Sequence, residues 1–202
     1  MKKEMISKKE IIETFGKEAL GNALFYKQKG SLRFELSGNK PYIDMFCRAM
    51  DRSREILNFL FSDAKNLTFA LSYFGSTNFM KERKIFRSIK NCGIVLPKSI
   101  EVTTSIEENS QERVFIVFEA EKDILQRLLW GVFAQELGIS PKLLCKVYIL
   151  SLELGVLAHP YDDRGMDVIG RNKLLLKQLF LHFNHYLLDY ERESMELFFN
   201  SL

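Results

Sequence analysis

The spacing of hydrophobic and polar residues in the first half of the chain predicts helices and strands in turn. Ser7, followed three positions later by Glu10, forms a capping box that predicts a helix ending at Gly16. Pro41 suits a first helical turn, and an apolar stripe over residues 43–61 predicts the longest helix of this half. The other predicted elements are strands at residues 23–27, 31–36 and 67–74 and a helix at about residues 79–90.

The order of predicted strands and helices changes in the second half of the chain, but no Pro-rich or Gly-rich linker separates the two halves. Its predicted elements are a hairpin of residues 100–106 and 113–119, a helix at 123–137, a three-strand meander at 144–151, 156–161 and 166–170, and two final helices, one after Asn172 and one at about 191–201. Hairpins mix with helices without regular alternation. The expected fold is therefore α+β, with a mostly antiparallel sheet or sheets and flanking helices.

Length and composition limit the possible classes of protein. The chain has 202 residues and is 47% hydrophobic, enough for a single compact domain of residues 1–202 or two packed halves of about 1–98 and 99–202. It contains no uncharged apolar run of about 18 residues, and its lysine-rich start lacks the apolar core of a secretory signal. We therefore expect no membrane span and a cytoplasmic location. The three cysteines have neither disulfide nor zinc spacing, and no cofactor is expected.

The near-neutral total charge conceals an unequal distribution along the sequence. Residues 1–100 carry 19 basic and 10 acidic side chains, a net charge of +9, whereas residues 101–202 carry 10 basic and 16 acidic ones, a net charge of −6. On the predicted helix at 79–90, basic residues share one side: Arg83, Lys84, Arg87 and Lys90. A solvated face explains this pattern, and no nucleic-acid motif accompanies it, so direct nucleic-acid binding is not expected.

The densest group of charges lies between two apolar strands, at residues 159–167. Asp162 and Gly165 suit the start and end of a tight turn, with positive φ expected at Gly165, and Arg164 can pair with a neighbouring carboxylate. A structural turn is the first interpretation. Surface recognition is the second. The third is chemistry, because clustered carboxylates such as Asp162, Asp163 and Asp167 can hold Mg²⁺ or act as acid and base.

The histidines and serines give weaker signals. His182 and His185 are three residues apart on a predicted helix, but no HExxH motif or cysteine pair accompanies them. His159 could form a dyad with Ser151 or Ser194 only if the fold brought them together, and neither serine lies in a Gly-x-Ser-x-Gly motif. We therefore expect no catalytic residues and no metal site.

Residues 147–192 resemble the C-terminal signature of a bacterial family known only as a domain of unknown function. The residues that carry this resemblance are Val147, Tyr148, Ile149, His159, Tyr161, Asp162, Asp163, Arg164, Gly165, Asp167, Val168, Ile169, Leu188, Asp189, Tyr190, Glu191 and Arg192. A weaker resemblance extends upstream through residues 32–36, Tyr42, Ala49, Arg52 and Ile56. It implies no catalytic residues.

Two functions of different classes remain as hypotheses. The first is a non-enzymatic, cytoplasmic protein-binding module, most concretely an immunity protein whose acidic half covers the basic cleft of a toxin such as a nuclease domain. The alternative is a metal-dependent hydrolase or nuclease that uses Asp162, Asp163 and Asp167. The candidate partner-binding residues are acidic or aromatic: Glu107, Glu108, Glu112, Tyr161, Asp162, Asp163, Tyr186, Asp189, Tyr190 and Glu193.

Overall fold

The computed structural model describes residues 6–38, 41–78, 80, 82–106 and 111–202. Within these residues the α-helices are α1 (Lys8–Phe15), α2 (Leu24–Lys27), α3 (Tyr42–Leu60), α4 (Arg83–Asn91), α5 (Leu125–Glu136), α6 (Lys173–His182) and α7 (Arg192–Asn200). The strands are β1 (Leu32–Glu35), β2 (Asn66–Phe74), β3 (Glu101–Ile106), β4 (Glu112–Glu121), β5 (Lys146–Ser151), β6 (Val156–Asp162) and β7 (Gly165–Gly170). Short 3-10 turns occupy Lys122–Ile124, Asn184–Tyr186 and Asp189–Glu191.

All of these strands belong to one antiparallel sheet with the order β1-β7-β6-β5-β2-β4-β3. Strands β5, β6 and β7 form the expected meander and are followed by helices α6 and α7, so the α+β prediction is confirmed. Strand β1, from the start of the chain, pairs with β7 near its end, and β2 lies between β5 and β4. Strands from both halves of the sequence are therefore interleaved in one sheet.

One face of the sheet carries the larger hydrophobic core. Alternate residues of the central strands, such as Phe69, Ile116 and Ile149, are fully buried there. Helices α3, α5 and α6 pack on this face, and their buried residues belong to the same cluster. Burial of so many large side chains supplies most of the stabilisation, because each one contributes about 1.5–3 kcal/mol on leaving water.

The opposite face is covered by apolar residues at one end only. Ile11, Phe15 and Leu20, from helix α1 and the segment that follows it, belong to one buried apolar cluster with Val117 and Leu157 of the sheet. The capping box predicted for α1 is present, because Glu10 N–H donates to Ser7 and the Glu10 carboxylate accepts from Ser7 N–H. The other end of this face carries polar side chains and positions the candidate site.

Two predicted elements differ from the structure. Residues 23–27, expected as a strand, form helix α2, because Leu24 and Phe25 are adjacent and both buried, whereas a strand would place them on opposite faces. Ala23 enters α2 with a left-handed φ of 50°. Helix α4 begins at Arg83, and Phe79, the expected start, lies outside the described residues.

Candidate functional site

A row of polar side chains crosses the partly covered face of the sheet. In the order of the strands it consists of Arg33 on β1, Asp167 on β7, His159 on β6, Tyr148 on β5, Ser72 on β2 and Arg113 on β4. We call these six residues the polar row. All are buried, with side chains that alternate with core-facing neighbours along each strand. Such a row is costly in a sheet interior unless its members hydrogen-bond to one another.

At one end of the row, Arg33 and Asp167 form a bidentate ion pair between directly paired strand residues. Arg33 Nε donates to Asp167 Oδ1 at 2.7 Å, and Nη2 donates to Oδ2 at 2.8 Å. Phe25 N–H also donates to Asp167 Oδ2, at 3.1 Å, which fixes helix α2 against the sheet. The guanidinium lies over the rings of Tyr26 and Tyr161. This carboxylate is thus fully engaged in holding the fold.

At the centre of the row, His159 is buried and stacks on Tyr148 with ring centroids 4.2 Å apart. Its Nδ1 lies 2.8 Å from the carbonyl oxygen of Val147. A carbonyl oxygen can only accept, so Nδ1 carries the proton and Nε2 bears a lone pair in the neutral ring. Burial lowers the pKa of His159 to about 4, so the ring is neutral at pH 7.

At the other end of the row, Arg113 joins two strands. Its Nε donates to Ser72 Oγ and its Nη2 donates to Tyr148 Oη, each at 2.7 Å. Tyr148 Oη in turn donates to the carbonyl of Gly21 at 2.9 Å, in the segment between α1 and α2. The guanidinium also lies over the ring of Phe115, 4.9 Å from its centroid. The network therefore connects the sheet to the segment that covers it.

The Asp162–Gly165 turn forms largely as the sequence predicts. Asp162 accepts from Arg164 N–H at 2.9 Å and from Arg164 Nε at 2.9 Å, which confirms the expected local ion pair. The expected positive φ at Gly165 is wrong, because this glycine does not adopt a left-handed backbone conformation. The real constraint is space: a Cβ on Gly165 would lie 1.9 Å from Tyr161 Oη and 3.0 Å from Phe34 O.

Asp163 is buried within the same turn, although the sequence-based hypothesis includes it among the residues of a partner-binding surface. Its Oδ2 has no hydrogen-bond partner among the described residues. Burial raises the pKa of Asp163, and the nearby charge of Asp162 adds to the effect. Hydrogen bonds from the Asp163 backbone and from Ser37 oppose this shift without cancelling it. The turn thus holds two carboxylates below the surface.

A cleft of about 780 Å³ opens beside the turn and above the centre of the polar row. Its lining combines polar, charged and apolar side chains: Asn22, Ala23, Arg33, Glu35, Ser37, Gly38, Met45, Lys146, His159, Tyr161, Asp162, Arg164 and Leu188. His159 lies at its floor, since the residue is 2% exposed, whereas the Arg164 side chain is 74% exposed at the rim. The volume is typical of a small-molecule site.

The candidate partner-binding residues fall in separate places. Asp189, Tyr190 and Glu193 are exposed together at the start of α7, while Tyr161 lies at the cleft and is 36% exposed. Glu112 is exposed on β4, near the other edge of the sheet. Tyr186 is half-buried and donates to Glu55 Oε2 at 2.9 Å. Glu107 and Glu108 lie outside the described residues.

Among the described residues, the sequence-predicted catalytic groups come together only in part, since His159 and Asp162 line the same cleft. Ser151 accepts from Leu154 N–H in the β5–β6 turn, and Ser194 lies on α7, so neither lines the cleft that contains His159. His182 stacks on Phe59, and His185 packs on Tyr186. In the described part of the chain no three His, Cys, Asp or Glu side chains converge as a metal site. Asp162 and Asp167 are instead paired with different arginines.

Sequence reasoning missed Arg113 and Ser72 as site residues. The available signal was a single charged residue at the start of an apolar run, Val114 to Phe118, and a serine between Leu71 and Tyr73. Either pattern also fits an ordinary strand end. Only the strand order, which places β2 and β4 beside β5, identifies both residues as members of one network.

The fold and the cleft define an α+β domain with a polar network across its antiparallel sheet. Residues 8–191 match the family described as a domain of unknown function (DUF3885), and the chain belongs to this family. The resemblance found in the sequence is therefore confirmed as one to a family of unknown function. No curated protein and no solved structure matches the chain. Among the described residues, none of the helices has the length and apolar character needed to cross a membrane.

Proposed function

We propose that the chain is a cytoplasmic protein-binding module that acts as an immunity protein for a basic toxin domain, such as a nuclease. The observation that carries this proposal is Tyr190, a large aromatic side chain that is 88% exposed. It stands between Asp189, whose side chain is 92% exposed, and the exposed Glu193. With Leu197, which is 71% exposed on the next turn of α7, these residues form what we call the acidic patch.

The acidic patch pairs an exposed aromatic ring with carboxylates, of which Asp189 is paired with Arg192 at 3.0 Å, and it suits recognition of a cationic partner. Tyrosine is enriched among residues that dominate binding energy, because it buries much area with few rotatable bonds. Neighbouring carboxylates accelerate encounter with a basic surface and disfavour acidic partners. A nuclease must attract phosphates and therefore presents such a basic surface. Neutralisation would follow if the patch covered that cleft.

The hydrolase alternative receives no comparable support. Asp167 is engaged by Arg33 and Phe25, and Asp162 by Arg164. Asp163 stays buried apart from the cleft lining. Asp162 and Asp167 are therefore held by different arginines and Asp163 is buried away from the cleft, so we favour binding of a protein.

The test is affinity for the toxin domain encoded by the adjoining reading frame, measured by calorimetry at two ionic strengths. Tyr190→Ala should cost about 2 kcal/mol or more, which is about a 30-fold loss of affinity. Glu193→Lys should weaken binding more at low salt than at high salt, because added ions screen the attraction. Glu136→Lys, at an exposed position on α5, is the matched control and should leave affinity unchanged.

Two results would contradict the proposal. Absence of a complex at micromolar concentration would reject the immunity function for that partner. A complex that tolerates both Tyr190→Ala and Glu193→Lys would place the interface elsewhere on the molecule, and the acidic patch would lose its assigned role.

A further inference from the structure

Helix α4 presents cationic side chains to solvent, and they take no part in the acidic patch. Ile89 belongs to the larger hydrophobic core and Ile85 packs against it, so the opposite side of the helix stays exposed. Lys84 and Arg87 lie on that side, about 4.5 Å apart along the helix axis. Neither of them makes a hydrogen bond or an ion pair within the described residues, so both charges are available to a ligand.

The fold brings a further cation to this helix from a distant part of the chain. Leu144 N–H donates to Ser88 Oγ at 3.1 Å, which fixes the segment between α5 and β5 beside α4, although the two residues are 56 positions apart. Lys142 in that segment is exposed and also lacks a partner among the described residues. From the sequence alone, solvation explains the basic side of α4, because no local pattern shows that Lys142 joins it.

The three cations line a groove of about 550 Å³ between α4 and the segment before β5, which we call the basic groove. Its cationic residues are Lys84, Arg87 and Lys142, and its other lining residues are neutral: Ser88, Asn91, Ser140, Pro141 and Leu144. Like charges that lie close together repel, and among the described residues no carboxylate lines this groove to offset the repulsion. The basic groove therefore attracts an anionic ligand.

A second hollow, of about 400 Å³, adjoins the basic groove and contains the only tryptophan of the chain. Pro141 lines both spaces, and Trp130 and Arg127 line the second one. Trp130 is 37% exposed, and Phe46 packs against it edge-on with ring centroids 4.8 Å apart. Asp123 is the one carboxylate in the described lining of this hollow, and it shares the hollow with Arg127. A held but accessible indole beside a cationic groove suits stacking of a nucleobase.

We propose that the basic groove binds the backbone of single-stranded nucleic acid, DNA or RNA alike, and that Trp130 stacks on one of its bases. The phosphates meet the three cations of the groove, which carry no preference for sequence. Stacking needs an open base face, which a duplex keeps inside its helix, so the exposed indole favours a single strand. An acidic peptide offers charge to the cations, but its carboxylates supply no flat ring for Trp130. The basic groove and the acidic patch share no residue, so this binding does not depend on the immunity function.

The experiment is fluorescence anisotropy of a fluorescein-labelled oligothymidylate titrated with the full chain, at salt concentrations between about 50 and 200 mM. Contacts to three phosphates should give a slope of about −2 for the logarithm of the association constant against that of salt concentration. Lys84→Gln and Lys142→Gln should each weaken binding about five- to tenfold at the lowest salt concentration and make this slope shallower by about 0.7. Lys17→Gln removes an exposed lysine from the segment after α1, and this matched control should change neither value.

Trp130 gives an independent readout in the unmodified chain, because its emission is the only tryptophan signal. Unlabelled oligothymidylate should quench this emission over the same range of concentration in which the anisotropy rises. Oligouridylate should quench it as well, since RNA presents the same phosphates and base faces. Unchanged emission at saturation would overturn the stacking role of Trp130 and with it the choice of a nucleic acid.

Competition against the labelled strand separates the other occupants. The proposal is overturned if neither oligothymidylate nor oligouridylate binds at about 100 μM in the lowest salt, which is the weak end of non-specific binding. It is also overturned if an oligoglutamate of equal net charge competes as well as the unlabelled single strand, because the groove would then suit an acidic protein. Stronger competition by a duplex of oligothymidylate and oligoadenylate, or equal weakening by Lys17→Gln and Lys84→Gln, would contradict it too.

Discussion

The hydroxyl of Tyr161 lies directly against Gly165, where an added Cβ would come within 1.9 Å of Oη. These residues flank the β6–β7 turn, and a β-bulge between Pro160 and Asp162 adjusts the register there. The bulge turns the Tyr161 ring back over the turn and into the wall of the cleft. Glycine at position 165 is therefore required by close approach and not by backbone conformation.

Gly165→Ala should lower the free energy of unfolding by about 1–3 kcal/mol, the usual cost of forcing an extra carbon into a packed site. The methyl group must displace Tyr161, and Phe34 O limits movement in the other direction. Urea denaturation of both proteins measures this cost. Tyr161→Phe removes Oη, so Gly165→Ala should cost less in that background than in the native chain. Equal costs in both backgrounds would show that the Tyr161 hydroxyl is not the cause.

His159 should make stability depend on pH in acid. Its pKa is about 4 in the folded state and about 6.5 when unfolded, so the unfolded chain binds more protons between these values. The contribution of the neutral His159 ring to the free energy of unfolding is therefore fully present above pH 6.5 and is lost as the pH falls toward 4. The slope should reach about 1.4 kcal/mol per pH unit.

The check is denaturant unfolding at pH 7, 5.5 and 4.5 for the native chain and for His159→Asn, which preserves a donor for Val147. The variant should show a flatter pH dependence over this interval. Identical slopes would mean that His159 binds protons equally in the folded and unfolded chain, which would contradict the lowered pKa of the buried ring.

Local patterns predicted most elements because each strand or helix is encoded by neighbouring residues. The capping box at Ser7 and the apolar alternation of the meander are local signals of this kind. Helix α2 was missed because five residues carry too little periodicity to separate a helical turn from a strand. Its position depends on a hydrogen bond from Phe25 to Asp167, which is 142 residues away.

The site was harder to predict than the fold because it depends on contacts between residues that are far apart in the sequence. His159, Asp162 and Asp163 were recognised from charge density, but their burial depends on β1 and the segment after it. Leu36 N–H donates to Arg164 O at 2.8 Å and brings the end of β1 over the turn. No sequence pattern encodes the pairing of β1 with β7, so an apparently exposed acidic turn is in fact the buried edge of a cleft.

Asp163→Asn should maintain or raise the free energy of unfolding at pH 7, by up to about 1 kcal/mol. The folded-state pKa of Asp163 is raised, so the fold favours the neutral acid and stability falls as the pH rises through that pKa. Asparagine removes the buried charge. Asp162→Asn is the matched control and should be destabilising, because Arg164 N–H and Nε lose a charged acceptor. Greater destabilisation by Asp163→Asn would indicate a partner that stabilises the Asp163 carboxylate.

The Arg33–Asp167 pair should behave as a buried ion pair whose partners cannot be removed singly. Arg33→Met leaves a carboxylate in a fully buried position and should cost about 3–5 kcal/mol. Asp167→Leu leaves a guanidinium among Phe25, Tyr26 and Tyr161 and should cost a similar amount. The double replacement removes both charges. It should cost clearly less than the sum of the single changes, although Phe25 N–H loses its acceptor.

A double-mutant cycle from denaturant unfolding measures this coupling, which should be about 2 kcal/mol or more for a directly bonded pair. Hydrogen exchange at Phe25 separates the two roles of Asp167, because only variants that lack the carboxylate should lose protection there. Arg33→Met should therefore keep Phe25 protected relative to Asp167→Leu. Additive costs would mean that Arg33 and Asp167 stabilise the fold independently, through the rings around Arg33 and the Phe25 amide, and that their ion pair contributes little.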